Sequence, residues 1–158
     1  MDIRNKVIHL DSAFTKELPN ATDQIDSIYV SGYASVNVPD RAGDVVPSSA
    51  WEGGIKNYLK NPIVLAYHDH DDPVGRMVEH KIDSKGLWVK VRISAASEIF
   101  NLVKDGVLTA FSIGFRVIDA EYDAESNLFI IKDHYLRNPP IQRHHLILLM
   151  IHIHLRLI

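Results

Sequence analysis

The chain has 158 residues, 46% of them hydrophobic and 23% charged, which is enough apolar surface for one domain with its own core. A net charge of −3 supplies no general basic field for nucleic acid. Cysteine is absent, which excludes a disulfide framework, a thiolate metal site and a cysteine nucleophile together. No window approaches the roughly 18 apolar residues that cross a bilayer, and Met1 to Leu10 lacks the apolar stretch of a signal peptide.

Residues 1–26 are weakly patterned and contain Pro19-Asn20, so they read as an N-terminal arm or strand ahead of the domain. Residues 27–36 alternate well enough for a strand. Pro39-Asp40 and Ala42-Gly43-Asp44 carry turn chemistry. Ser48 or Ser49 is placed to cap a short helix holding Trp51, Ile55, Tyr58 and Leu59, which Gly53-Gly54 weakens. Residues 62–67 form a short apolar strand that ends at His68, followed by an acidic turn to Asp72 and Pro73. Residues 74–82 and 87–93 read as a hairpin around Asp83-Ser84-Lys85-Gly86. Ser94 is placed to cap a helix over 95–105, with Ile99, Leu102 and Val103 as its buried stripe and Gly106 as its stop.

The stretch from Val107 to Asp119 alternates most clearly. Val107, Thr109, Phe111, Ile113, Phe115 and Val117 share one side, predicted to face the core. Leu108, Ala110, Ser112, Gly114 and Arg116 share the other, where serine beside glycine leaves room for an approaching group. A turn at residues 123–127 leads into a return strand over 128–132. The order predicts a mainly β domain of the α+β kind, a small β-barrel with one or two peripheral helices, over residues 27–133.

Two groups offer chemistry. Ser112 is a nucleophile only if a base takes its proton, and a neutral imidazole such as His68 titrates in the right range. Most strand serines merely fill space. The cluster His68-Asp69-His70-Asp71-Asp72 reads first as a solvated turn. It also reads as a metal site using His68, His70 and Asp72, or as a general base at a strand end. Arg116 lies on the Ser112 side, as an ion-paired surface residue or as a substrate or oxyanion contact. The tail histidines, His144-His145 and His152-x-His154, have the spacing of adventitious metal binding in a tail without function.

Four pieces of the chain, in order, resemble the prohead proteases of tailed bacteriophages, the capsid-maturation serine proteases related to herpesvirus assemblin. They are Gly32-Tyr33-Ala34-Ser35 leading to Asp40-Arg41-Ala42-Gly43-Asp44-Val45-Val46, then Pro62-Ile63-Val64-Leu65 leading to His68 and Pro73-Val74-Gly75-Arg76. Gly86-Leu87-Trp88-Val89-Lys90 and Phe111-Ser112-Ile113-Gly114-Phe115-Arg116 complete the set. The resemblance implies a herpesvirus-protease-like barrel and a serine endopeptidase with Ser112 as nucleophile and His68 as base, His70 being the competitor. It implies no cofactor and no metal. The substrates would be the phage major capsid protein, the scaffolding protein and the protease itself, without nucleic acid or membrane, and a homo-oligomer is compatible with this. The place of action would be the interior of the procapsid in the host cytoplasm. Two alternatives are a non-catalytic barrel that binds capsid or scaffold, and the metal-dependent hydrolase.

The chain then departs from that pattern. The family's return strand is usually followed by a segment with an acid that would complete a triad. Here all 20 acidic residues lie at or before Asp133, and the last 25 residues hold five of the nine histidines and no acid. Residues 134–158 therefore read as an atypical tail, as a frameshift or truncation near residue 134 would produce. The resemblance offers His134 as a stand-in for the third member, since assemblin-type proteases use a second histidine. Residues 151–157 alternate as an amphipathic strand would.

Overall fold

The computed structural model describes residues 7–17, 26–40, 43–135 and 148–152. Its strands are β1 (Val7–Glu17), β2 (Ser27–Val36), β3 (Asp44–Val45), β4 (Ile63–Leu65), β5 (Pro73–Asp83), β6 (Gly86–Ser94), β7 (Ala110–Asp123), β8 (Leu128–Tyr135) and β9 (Leu148–His152). Two helices, α1 (Ser48–Tyr58) and α2 (Phe100–Lys104), interrupt them. All nine strands form one sheet in the order β3-β8-β7-β1-β2-β6-β5-β4, with β9 on β7. The mainly β architecture with two helices is as the sequence predicts. Among the described residues, backbone pairing does not close the sheet into a ring. Near its open side β9 borders β4 without pairing to it.

Local chemistry explains most elements. The β5–β6 hairpin turns through Ser84-Lys85, where the Asp83 carboxylate accepts from the Lys85 N–H at 2.9 Å and the Gly86 N–H at 3.3 Å. Gly86 has φ +146 and packs its bare Cα against the Ser35 carbonyl, so no side chain fits there. Inward residues of β2 and β6, among them Ile28, Val30, Val89, Val91 and Ile93, are buried in one core with Trp51, Phe111, Phe115 and Ile131.

Four details differ from the sequence reading. Residues 7–17 form a full strand between β2 and β7, because pairing on both edges satisfies a backbone that weak patterning left undecided. Helix α1 begins without a serine cap: Pro47 holds the N-cap position, and the Ser48 hydroxyl is buried without a partner. Helix α2 is only five residues long, because Ser94 and Ser97 close a turn over 94–97 instead. Its buried residues are Phe100 and Val103, with Ile99 just ahead of it, whereas Leu102 is exposed. Strand β7 starts at Ala110, so the alternation fails before it: Leu108 is buried and Val107 exposed.

Candidate active site

Strand β7 positions Ser112. Along its first half β7 pairs with β1, placing Ser112 opposite Asp11, and with β9, placing Ser112 opposite Met150. Along its second half it pairs with β8. Phe111, Ile113, Phe115 and Val117 are buried as predicted, but so are Ala110, Ser112 and Gly114. The expected open face is therefore closed. Ser112 is 1% exposed, and its Oγ has no hydrogen-bond partner among the described residues. An enclosed hydroxyl without a partner costs about 1–3 kcal/mol, so it calls for a reason other than packing.

Strand β4 delivers His68 into a tight loop. The Ala66 N–H donates to the Asp72 carbonyl at 3.0 Å and the Asp69 N–H to the Ala66 carbonyl at 2.7 Å, so the loop closes on itself. Closure forces two consecutive non-glycine residues, Tyr67 (φ 48) and His68 (φ 62), into the left-handed region. Strain of that kind costs about 1–3 kcal/mol per residue and gathers at functional sites. No signal in the sequence marks it, since neither residue is glycine or asparagine. His68 is half-buried, whereas His70 and Asp71 at the loop tip are exposed. The Asp72 carboxyl is held above the usual range, first by desolvation and then by the charges of Glu98 and Asp69.

The two chemical groups are not joined. Among the described residues the Ser112 hydroxyl makes no hydrogen bond, to His68 or to any other. Among the described residues no three His, Asp or Glu side chains converge as a metal site would require. A shallow groove on the sheet is lined by Thr15, Ser31, Tyr33, Trp88 and Lys85, and it contains neither Ser112 nor His68. Arg116 is half-buried on β7.

His134 cannot stand beside Ser112. It lies opposite Val117 in the β7–β8 register, and its ring packs 4.8 Å from the Phe115 ring, so it occupies the face of β7 opposite Ser112. Its other neighbour is the Trp51 ring of α1 at 4.2 Å, and a Cβ at Gly54 would collide with the imidazole. The glycine that weakens the helix is what admits the ring. Neither His134 nitrogen has a partner among the described residues, and burial pushes the imidazole down to about 4. His144 and His145 lie outside the described residues, as does His154.

A family model described as Caudovirus prohead serine protease matches residues 16–137. The chain belongs to that family. Among known proteins, the Prohead protease of Escherichia phage T5 is 41% identical over 135 residues, covering 83% of this chain. The chain spans 63% of the length of that relative. The Capsid polyprotein of Pseudomonas phage PAJU2 is 31% identical over 103 residues, 58% of this chain and 14% of the polyprotein. The solved structure of the bacteriophage T4 capsid assembly protease superposes with a TM-score of 0.65 at 10% identity, covering 94% of this chain and 99% of that one. At that identity the likeness concerns the fold alone. The family-model match, residues 16–137, contains both β7 and the His68 loop.

Proposed function

We propose that this chain is a serine endopeptidase of phage procapsid maturation, with Ser112 as nucleophile and His68 as general base. The observation that carries the reading is Ser112 Oγ, enclosed and without a hydrogen-bond partner on a strand of a prohead protease fold. In the proposed reaction Ser112 Oγ bonds to the scissile carbonyl carbon while its proton passes to the His68 imidazole. The tetrahedral intermediate then collapses: the C–N bond breaks and the imidazolium returns the proton to the leaving amine. Water, deprotonated by the same imidazole, releases the acyl group and restores the hydroxyl. Strain at Tyr67 and His68 supports a positioned rather than a mobile base.

The substrates in this reading are the capsid and scaffolding proteins inside the procapsid, and the protease itself. The relationship to a T5 protein named Prohead protease supports this, as does the match to part of a capsid polyprotein. The test is co-expression with the neighbouring capsid and scaffolding proteins, read on a gel for this chain and for Ser112→Ala. Cleavage products that vanish in the variant are expected. Products that persist with Ser112→Ala would overturn the assignment of the nucleophile.

A further inference from the structure

Three regions hold unexplained features: the buried pair Trp51 and His134, the groove beside Tyr33 and Trp88, and the strand β9. The last carries an inference. Strand β9 stands off the main path of the sheet and pairs antiparallel to β7 from Ala110↔His152 to Gly114↔Leu148. This is the segment of β7 that holds Ser112, and its other edge is already taken by β1. β9 also borders β4, the strand that leads to His68. It therefore lies along the one edge from which a peptide backbone could reach Ser112 in the plane of the sheet. It also stands between the strands that carry the two chemical groups.

We infer that the β7 edge at residues 110–114 is the binding edge for an extended peptide substrate, and that β9 occupies it as an internal blocker. An unpaired strand edge presents a row of N–H and C=O groups that an extended chain completes as an added strand. The edge's affinity resides in main-chain hydrogen bonds, which accept many sequences. A segment of the chain's own tail is then an effective occupant, because tethering raises its local concentration to the millimolar range typical of short linkers, about 10⁻³ M. A nucleophile enclosed to 1% exposure admits no substrate until a neighbouring element leaves. β9 is that element, since withdrawing it frees the edge without breaking the β1 or β8 ladders. The inference deepens the protease reading and rests on it, but its measurement needs no catalysis.

The chain contains no cysteine, so Ser112→Cys creates a single thiol whose accessibility can be timed with a disulfide reagent. Met150→Pro, placed opposite Ser112, removes a donor and disfavours the strand conformation. In the full chain, Ser112→Cys with Met150→Pro is expected to react at least about tenfold faster than Ser112→Cys alone, with circular dichroism unchanged. Equal rates in two folded variants would overturn the inference. A synthetic peptide of residues 146–154 with added lysines should slow the reaction again. Absence of protection at saturating peptide would refute the peptide edge. Should the proline variant unfold, hydrogen exchange on the Ser112→Cys chain decides. Alternate amides of 110–114 point towards β1 and towards β9, and those facing β9 should exchange at least about tenfold faster. One uniform protection class would count against a removable β9. Failure of Ser112→Ala to stop cleavage would strike the nucleophile and leave these accessibilities untouched.

Discussion

His68 lies in the loop after β4 and His134 within β8, and the fold treats them oppositely. His68 sits half-buried on a strained loop rich in carboxylates, at the rim of the sheet. His134 lies in the core between Trp51 and Phe115, with neither nitrogen hydrogen-bonded among the described residues. One environment leaves the imidazole partly exposed on a loop. The other keeps it neutral, by desolvation. What each histidine meets is set by the element that carries it and by the face of the strand it occupies.

The contrast is tested most strongly by removing each ring in turn. His68→Ala should lower processing by about 10⁴-fold or more, the scale of losing a general base, while the fold survives. His134→Leu should leave processing measurable at neutral pH. If the two variants lost activity equally with both chains folded, the division of roles would fail. The next effect is on acid stability. Folded His134 titrates near 4 and an unfolded histidine near 6.5. The unfolded state therefore binds the proton first. His134's contribution is intact above about pH 6.5 and is lost as pH falls towards 4, by about 3 kcal/mol. Denaturant titrations at pH 7.5 and 4.5 should show this loss in the parent chain and a flatter profile in His134→Leu.

A smaller effect is expected at Gly54. Gly54→Ala gains helix propensity but drives a methyl group into the His134 ring, for a net loss of about 1–2 kcal/mol. Pairing it with His134→Ala should recover most of that loss in a double-mutant cycle; simple additivity would mean that the two do not touch. Tyr67→Gly should change stability least, within about 1 kcal/mol, since relief of left-handed strain is offset by a freer unfolded chain. Its processing rate should fall more than its stability does if strain positions His68.

Much of this arrangement was legible before the fold was seen. The alternation from Phe111 to Val117 marked the core side of β7, and Asp83 to Gly86 marked the hairpin, because period-2 burial and turn chemistry are local. The order of the four motif pieces pointed to the family. The closed face around Ser112 was not legible, since it depends on which strands flank β7. The short α2 was missed because Ser94 and Ser97 satisfy the backbone locally in a turn, which competes with a cap. The sequence offers His134 as a candidate third member, but the β7–β8 register places it on the face of β7 opposite Ser112.

By itself the sequence determined strand periodicity, the turns, the absence of thiol chemistry and the residue types able to perform acyl transfer. These follow from side-chain volume, backbone preference and functional groups, which each residue carries with it. Only the tertiary structure decided that residues 7–17 lie between β2 and β7, that Gly54 admits His134, and that β9 runs along Ser112. Those depend on pairing and packing between residues far apart in the chain, where a one-residue shift of register reverses which face a side chain meets.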